Sequence, residues 1–93
     1  MPTLGFVASK SSRSTDTVAA WATALGQRVR DHRKRLRLTQ KQLADLSGCG
    51  PDFLYDLERG KPTVRLDKLV LVLEALGLVL TIAERSTGGQ TAP

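Results

Sequence analysis

Sulfur, imidazole and aromatic rings are scarce in this chain. Its 93 residues include one cysteine, one histidine, one methionine, one tryptophan, one tyrosine and two phenylalanines. A lone Cys49 excludes a disulfide framework, and a reducing cytoplasm is the simplest home for such a chain. One cysteine and one histidine are too few for a structural zinc site. Long apolar runs are missing as well. Leu69–Leu73 and, counting glycine, Ala75–Leu80 fall far short of the roughly 20 residues that cross a bilayer. The apolar stretch Leu4–Ala8 is too short for a signal peptide, and the basic residues come after it. Acidic side chains are outnumbered, with 9 Asp+Glu against 14 Lys+Arg and a net charge of +5. A small basic chain points to a polyanion, with nucleic acid ahead of an anionic membrane surface. No Ser-His-Asp set, metal cluster or phosphate loop stands out, so the expectation is a non-enzyme with no cofactor and no bound metal.

What remains is enough for one small domain with a modest core, which a partner subunit would help to stabilise. Met1–Thr15 is rich in Ser, Thr and Gly, carries Lys10 and Arg13, and reads as a disordered basic arm. Residues 85–93 read as a flexible tail. The working domain is therefore expected over residues 16–84.

Asp16 or Thr17 can cap a first helix, whose inward face is Trp21, Leu25, Val29, Arg33 and Leu36. Gly26 costs about 1 kcal/mol relative to Ala in a helix, so a kink or break is expected there. Thr39 followed by Gln42 fits a capping box that starts a second helix, with Leu43, Ala44 and Leu46 inward. Ser47-Gly48 stops it. Gly50-Pro51 restarts a third helix, whose buried pair is Leu54 and Leu57 and whose end is Gly60, followed by Pro62. Leu66–Leu76 forms a fourth, with Leu66, Leu69, Val70, Leu73 and Leu76 inward and Leu71 and Val72 as spare apolar surface. Gly77 stops it. Leu78–Ala83 is apolar and β-branched, and reads as a short strand whose partner is the same strand of another copy.

Two helices joined by a short glycine-containing turn make a helix-turn-helix, here over Gln40–Glu58. Ala44 is small where the helices cross, Gly48 allows the turn, and Cys49 reads as a small buried hydrophobe. His32 reads as a surface residue, and Trp21 as a core or interface anchor.

The strings "LTQ..LA..SG" and "LERGK", within residues 24 to 83, resemble the Xre or lambda-repressor-like helix-turn-helix family. "EALGLVLTI" resembles the HipB-like antitoxin branch of it. The resemblance implies a mostly α fold of four to five helices. It also implies a short C-terminal β-strand, Leu78, Val79, Leu80, Thr81 and Ile82, pairing across a homodimer. The implied partners are double-stranded DNA with a palindromic operator and a HipA-like kinase toxin. Arg33 and Glu58 match a buried ion pair between the first and third helices. Gln40, Gly50, Pro51, Asp52, Tyr55, Asp56 and Arg59 match DNA-facing positions. The family usually places Ser or Thr at the cap of the recognition helix and Arg, Gln, Ser or Thr next. Gly50-Pro51-Asp52 departs from that, since Pro51 has no donor and Asp52 repels phosphate.

Charge supplies much of what those positions lack. Arg28, Arg30, Arg33, Lys34, Arg35, Arg37 and Lys41 are half of the 14 basic residues, and only Asp31 opposes them. Lys61, Arg65 and Lys68 lie beyond the third helix, where phosphates would flank it. Material for phosphate contact is ample and material for base reading is sparse, so affinity and register are better provided for than sequence choice. The bland alternative for the run is a solvated helix face. The expected function is a DNA-binding transcriptional regulator, the antitoxin and autorepressor of a HipBA-like operon, cytoplasmic and on the nucleoid when bound. The competing reading is a protein-interaction adaptor that kept the fold and lost DNA readout.

Overall fold

A computed structural model of the chain describes residues 13–84, which form four helices: α1 (Arg13–Arg35), α2 (Gln40–Ser47), α3 (Pro51–Arg59) and α4 (Leu66–Ala75). The arm over residues 1–12 and the tail over residues 85–93 lie outside the described residues. α1 packs along α3, and α2 packs on both α3 and α4. The side chains of Val29, Leu43, Leu54, Leu57, Leu69, Val72, Leu73 and Leu76, with Ala44 and Cys49, close a single core between them.

Local chemistry explains most of the boundaries. At the start of α2 the Thr39 hydroxyl accepts from the Gln42 backbone N–H at 3.0 Å, and the Gln42 side chain accepts from the Thr39 N–H at 2.8 Å. This reciprocal box satisfies two donors that a helix start leaves orphaned. α1 closes through Arg37, a non-glycine residue in the left-handed region at φ 61°, with Leu38 N–H donating back to the Arg33 carbonyl at 3.1 Å.

α1 begins at Arg13, ahead of the Asp16 or Thr17 start expected from capping, so residues 13–15 are helical and not part of an arm. Ser14, Thr15, Asp16 and Thr17 are all capping-type residues, and composition does not choose among them. Asp16 instead sits in the first turn, where its negative charge complements the helix dipole.

Gly26 neither kinks nor breaks α1, which runs unbroken through it. It is buried where α1 crosses the end of α3: a Cβ there would overlap the Leu57 carbonyl oxygen and come within 2.9 Å of the Glu58 carbonyl oxygen. The missing side chain lets two helix backbones touch.

Five inward assignments change. Leu46 is 64% exposed and Leu66 is 63% exposed, and Val70 also faces out, whereas Val72 is fully buried. The α4 core stripe is thus Leu69, Val72, Leu73 and Leu76, an i, i+3, i+4, i+7 set. Leu36 is exposed and Trp21 only partly covered, because α1 extends past the core at both ends. After Gly77 the chain takes no regular secondary structure, and no strand ladder forms among the described residues. A ladder needs a second strand, and the described residues offer none.

The Gly26 contact sets a prediction. Alanine would gain about 1 kcal/mol in helix propensity, but the crossing backbone cannot yield as a flexible side chain would. Gly26→Ala is expected to lower unfolding stability by about 1–3 kcal/mol in urea denaturation. A gain in stability would contradict so close a crossing.

Candidate nucleic-acid interface

The turn between α2 and α3 is built from two glycines. Gly48 caps α2 in the left-handed conformation at φ 75°, its N–H donating to the Ala44 carbonyl, and Gly50 precedes Pro51 at φ 79°. Between them Cys49 turns inward, its thiol donating to the Lys68 carbonyl at 3.4 Å, which ties the turn to α4. Pro51 occupies the first helical position, where no N–H is required. The result fixes α3 with Leu54 and Leu57 inward and Pro51, Asp52, Tyr55 and Arg59 outward.

The orientation of α3 is locked from behind. Arg33 Nε donates to Glu58 Oε2 at 2.6 Å and Arg33 Nη2 to Glu58 Oε1 at 2.9 Å, a bidentate pair with the two side chains only 10% and 4% exposed. The third guanidinium nitrogen, Nη1, donates to the Leu38 carbonyl at 2.8 Å, so the same side chain also holds the α1–α2 turn. Gln40 Nε2 adds a bond to Glu58 Oε1 at 3.1 Å. One carboxylate thereby joins α1, α2 and α3. Hydrogen bonding to Glu58 raises the Arg33 pKa above its ordinary value, against the opposing effect of burial.

On the outward face Arg59 lies over the Tyr55 ring, 5.0 Å from its centre. The Asp56 carboxylate stands 3.7 Å from Arg59 and 3.5 Å from Lys61. Tyr55, Asp56, Arg59 and Lys61 are therefore one cluster at the C-terminal half of α3. Asp56 faces its cationic neighbours, with its side chain half-buried. Lys41 is exposed near the start of α2, 3.4 Å from Asp45, while Gln40 is half-buried behind it. Gly50, Pro51 and Asp52 are exposed at the opposite end of α3 from Arg59 and Lys61. The structure thus brings the cationic and aromatic site residues together and leaves the Gly-Pro-Asp front apart from them.

Two contacts are not visible in the sequence pattern. Lys68 lies over the half-buried Phe53 ring at 5.7 Å, which pins this cation near the turn. Arg65 forks onto Asp67 at 2.7 and 3.2 Å, so its charge is locally matched. The same guanidinium holds the Asp67 carboxyl below its ordinary range. Both pairs arise between neighbours in space or two positions apart, where helix periodicity gives no signal. Among the described residues no group of His, Cys, Asp and Glu could hold a metal ion, and no helix is long and apolar enough to cross a membrane.

Residues 24–86 match the helix-turn-helix domain family. The chain belongs to that family. Within it, the helix-turn-helix chain is 43% identical over 58 residues to the uncharacterized HTH-type transcriptional regulator y4mF of Sinorhizobium fredii, covering 62% of this chain and 76% of that protein. It is 39% identical over 54 residues to the immunity repressor protein of Bacillus phage phi105, covering 58% of this chain and 38% of that protein. In the helix-turn-helix domain described here, α3 is the second helix of the motif and the one presented outward.

The buried pair sets the second prediction. Glu58→Ala leaves Arg33 charged and unpaired inside the domain, and is expected to cost about 3–5 kcal/mol in denaturant unfolding. Replacing both partners, as Arg33→Met with Glu58→Leu, is expected to recover most of the loss. A Glu58→Ala protein that melts like the parent would contradict the burial.

Proposed function

We propose that this helix-turn-helix chain is a sequence-specific DNA-binding transcriptional regulator that acts as a cytoplasmic homodimer and represses its own operon. The observation that carries the reading is the outward cluster of Tyr55, Arg59 and Lys61 on a helix held rigidly by the Arg33–Glu58 pair, with Lys41 exposed at the start of α2. A dimer would place two copies of α3 in successive major grooves of a palindromic operator, about 34 Å apart. Lys41 and Lys61 contact phosphate, while Tyr55 and Arg59 reach base edges or phosphate. Both relatives are named as a regulator or a repressor, which supports the same reading. The protein works by binding alone, with no catalysis and no cofactor.

The more specific role is that of antitoxin in a HipBA-like operon, with a HipA-like kinase as protein partner. It is supported by the resemblance of the C-terminal segment and by the apolar side chains that the segment leaves in solvent, Val79 at 79% and Ile82 at 98% exposed. Pairing of residues Leu78–Ile82 about a two-fold axis would close two apolar edges at once. One observation favours the alternative of a protein-interaction adaptor: the front of α3 presents Pro51 and Asp52, which supply no cation.

Salt separates the two readings. If a dimer neutralises about 6 to 10 phosphates, affinity falls roughly 10³- to 10⁵-fold between 50 and 200 mM salt. The measurement is a gel-shift titration on the DNA upstream of its own gene, with excess random DNA as competitor. A flat salt response, or equal affinity for random DNA throughout, favours the adaptor.

A further inference from the structure

An apolar groove of about 480 Å³ runs between the first half of α1 and the segment that follows α4. Val18, Trp21 and Leu25 form one wall and Leu73 part of the floor, with Arg28 and Lys61 as the cations along it. Much of that wall stands on residues 13–23, which precede the span matched to the family, so it is an addition to the helix-turn-helix core. Lys61 is already engaged with Asp56. Arg28 has no hydrogen bond or ion pair among the described residues.

The chain carries its own complement to this groove. The segment beyond α4 forms one side of the groove, with Leu78, Val79, Leu80 and Thr81 all lining it. Leu78 is also half-buried on the core of its own domain. Farther along, Ile82 is 98% exposed and Glu84 is exposed too. The segment thus begins on its own domain and ends, apolar and then acidic, in solvent. Glu84 follows Ile82 by two residues, so their Cα atoms are at most about 7 Å apart, and an acidic group stays close to the apolar one as Arg28 stays close to the groove's apolar wall.

We propose that the groove receives Ile82 of a second copy of this chain, beside Trp21, and that Glu84 of that copy pairs with Arg28. A two-fold axis makes the exchange reciprocal, so each interface holds the contact twice. The proposal rests on the homodimer proposed above and adds α1 to its interface.

Trp21 is the chain's one tryptophan, so its emission reports on the groove alone. On the full chain, mass by sedimentation and Trp emission are followed on dilution for the parent, Arg28→Glu, Glu84→Arg and the double reversal. Circular dichroism confirms folding of each. The expected result is a red shift of Trp emission as the dimer dissociates. Each single reversal, counted twice per dimer, should weaken association roughly tenfold, and the double reversal should restore it to within about twofold. Ile82→Asp should abolish the dimer and leave the circular dichroism unchanged. A dimer indifferent to the reversals, with emission unchanged on dilution, overturns the groove contact and leaves the strand-paired dimer standing. A double reversal as weak as either single overturns the Arg28–Glu84 pair. A chain monomeric at every concentration overturns both this contact and the homodimer.

Discussion

One buried carboxylate organises this domain. Glu58 accepts from Arg33 of α1 and Gln40 of α2 while sitting near the end of α3, so three helices meet at a single charged group. The pair is a constraint more than a source of stability. An ion pair removed from water gains little over apolar side chains of the same volume, but leaving either charge alone is costly. The side-on fork of Arg33 Nε and Nη2 ties α3 to α1, while Nη1 holds the α1–α2 turn. Gly26 completes the constraint on the other side, because only a residue without Cβ lets α1 lie against the Leu57 and Glu58 carbonyls. Helix propensity is sacrificed at one position to seat the helix that faces outward.

That rigidity matters because the outward face is thin in recognition chemistry. The cations near α3 are held by neighbours: Arg59 by the Tyr55 ring and Asp56, Lys61 by Asp56, and Lys68 by the Phe53 ring. Each is exposed or half-buried and oriented before any partner arrives, which lowers the entropy cost of engaging a phosphate. Asp56 thus does not have to repel DNA; it can act as a brace for two cations. The proposed dimer doubles this small set of contacts, and a basic α1 adds a diffuse field around it.

The sequence was most legible where a rule is local. The Thr39–Gln42 box, the left-handed Gly48 and Gly60 caps and Pro51 at a helix start depend on residues within a turn of each other, and each is found where its chemistry requires. Legibility failed where the answer lay across the fold. Gly26 looked like a helix defect because its propensity cost is visible in the sequence and the crossing backbone is not. In α4 the run Leu69–Leu73 is apolar on every side, so periodicity could not choose between Val70 and Val72. Only packing against α2 and the core does so. Leu46 was assigned inward by the same indifference of spacing to distance from the core. Residues Leu78–Ala83 have the composition of a strand, but a strand is a property of two segments, and the described residues supply only one. Among the site residues, Tyr55, Asp56 and Arg59 were legible through the family resemblance and Lys61 as a cation beyond the third helix, whereas their clustering and the bracing by Asp56 required the structure.

The central claim is that a helix fixed by the Arg33–Glu58 pair, and not the basic face of α1, meets the DNA. Amide chemical-shift mapping on titration with duplex from upstream of the gene tests this most directly. The account predicts shifts concentrated at Gln40, Lys41 and from Gly50 to Lys61, with the α1 amides between Ala24 and Arg35 little changed. Shifts confined to α1, with α3 silent, would contradict it.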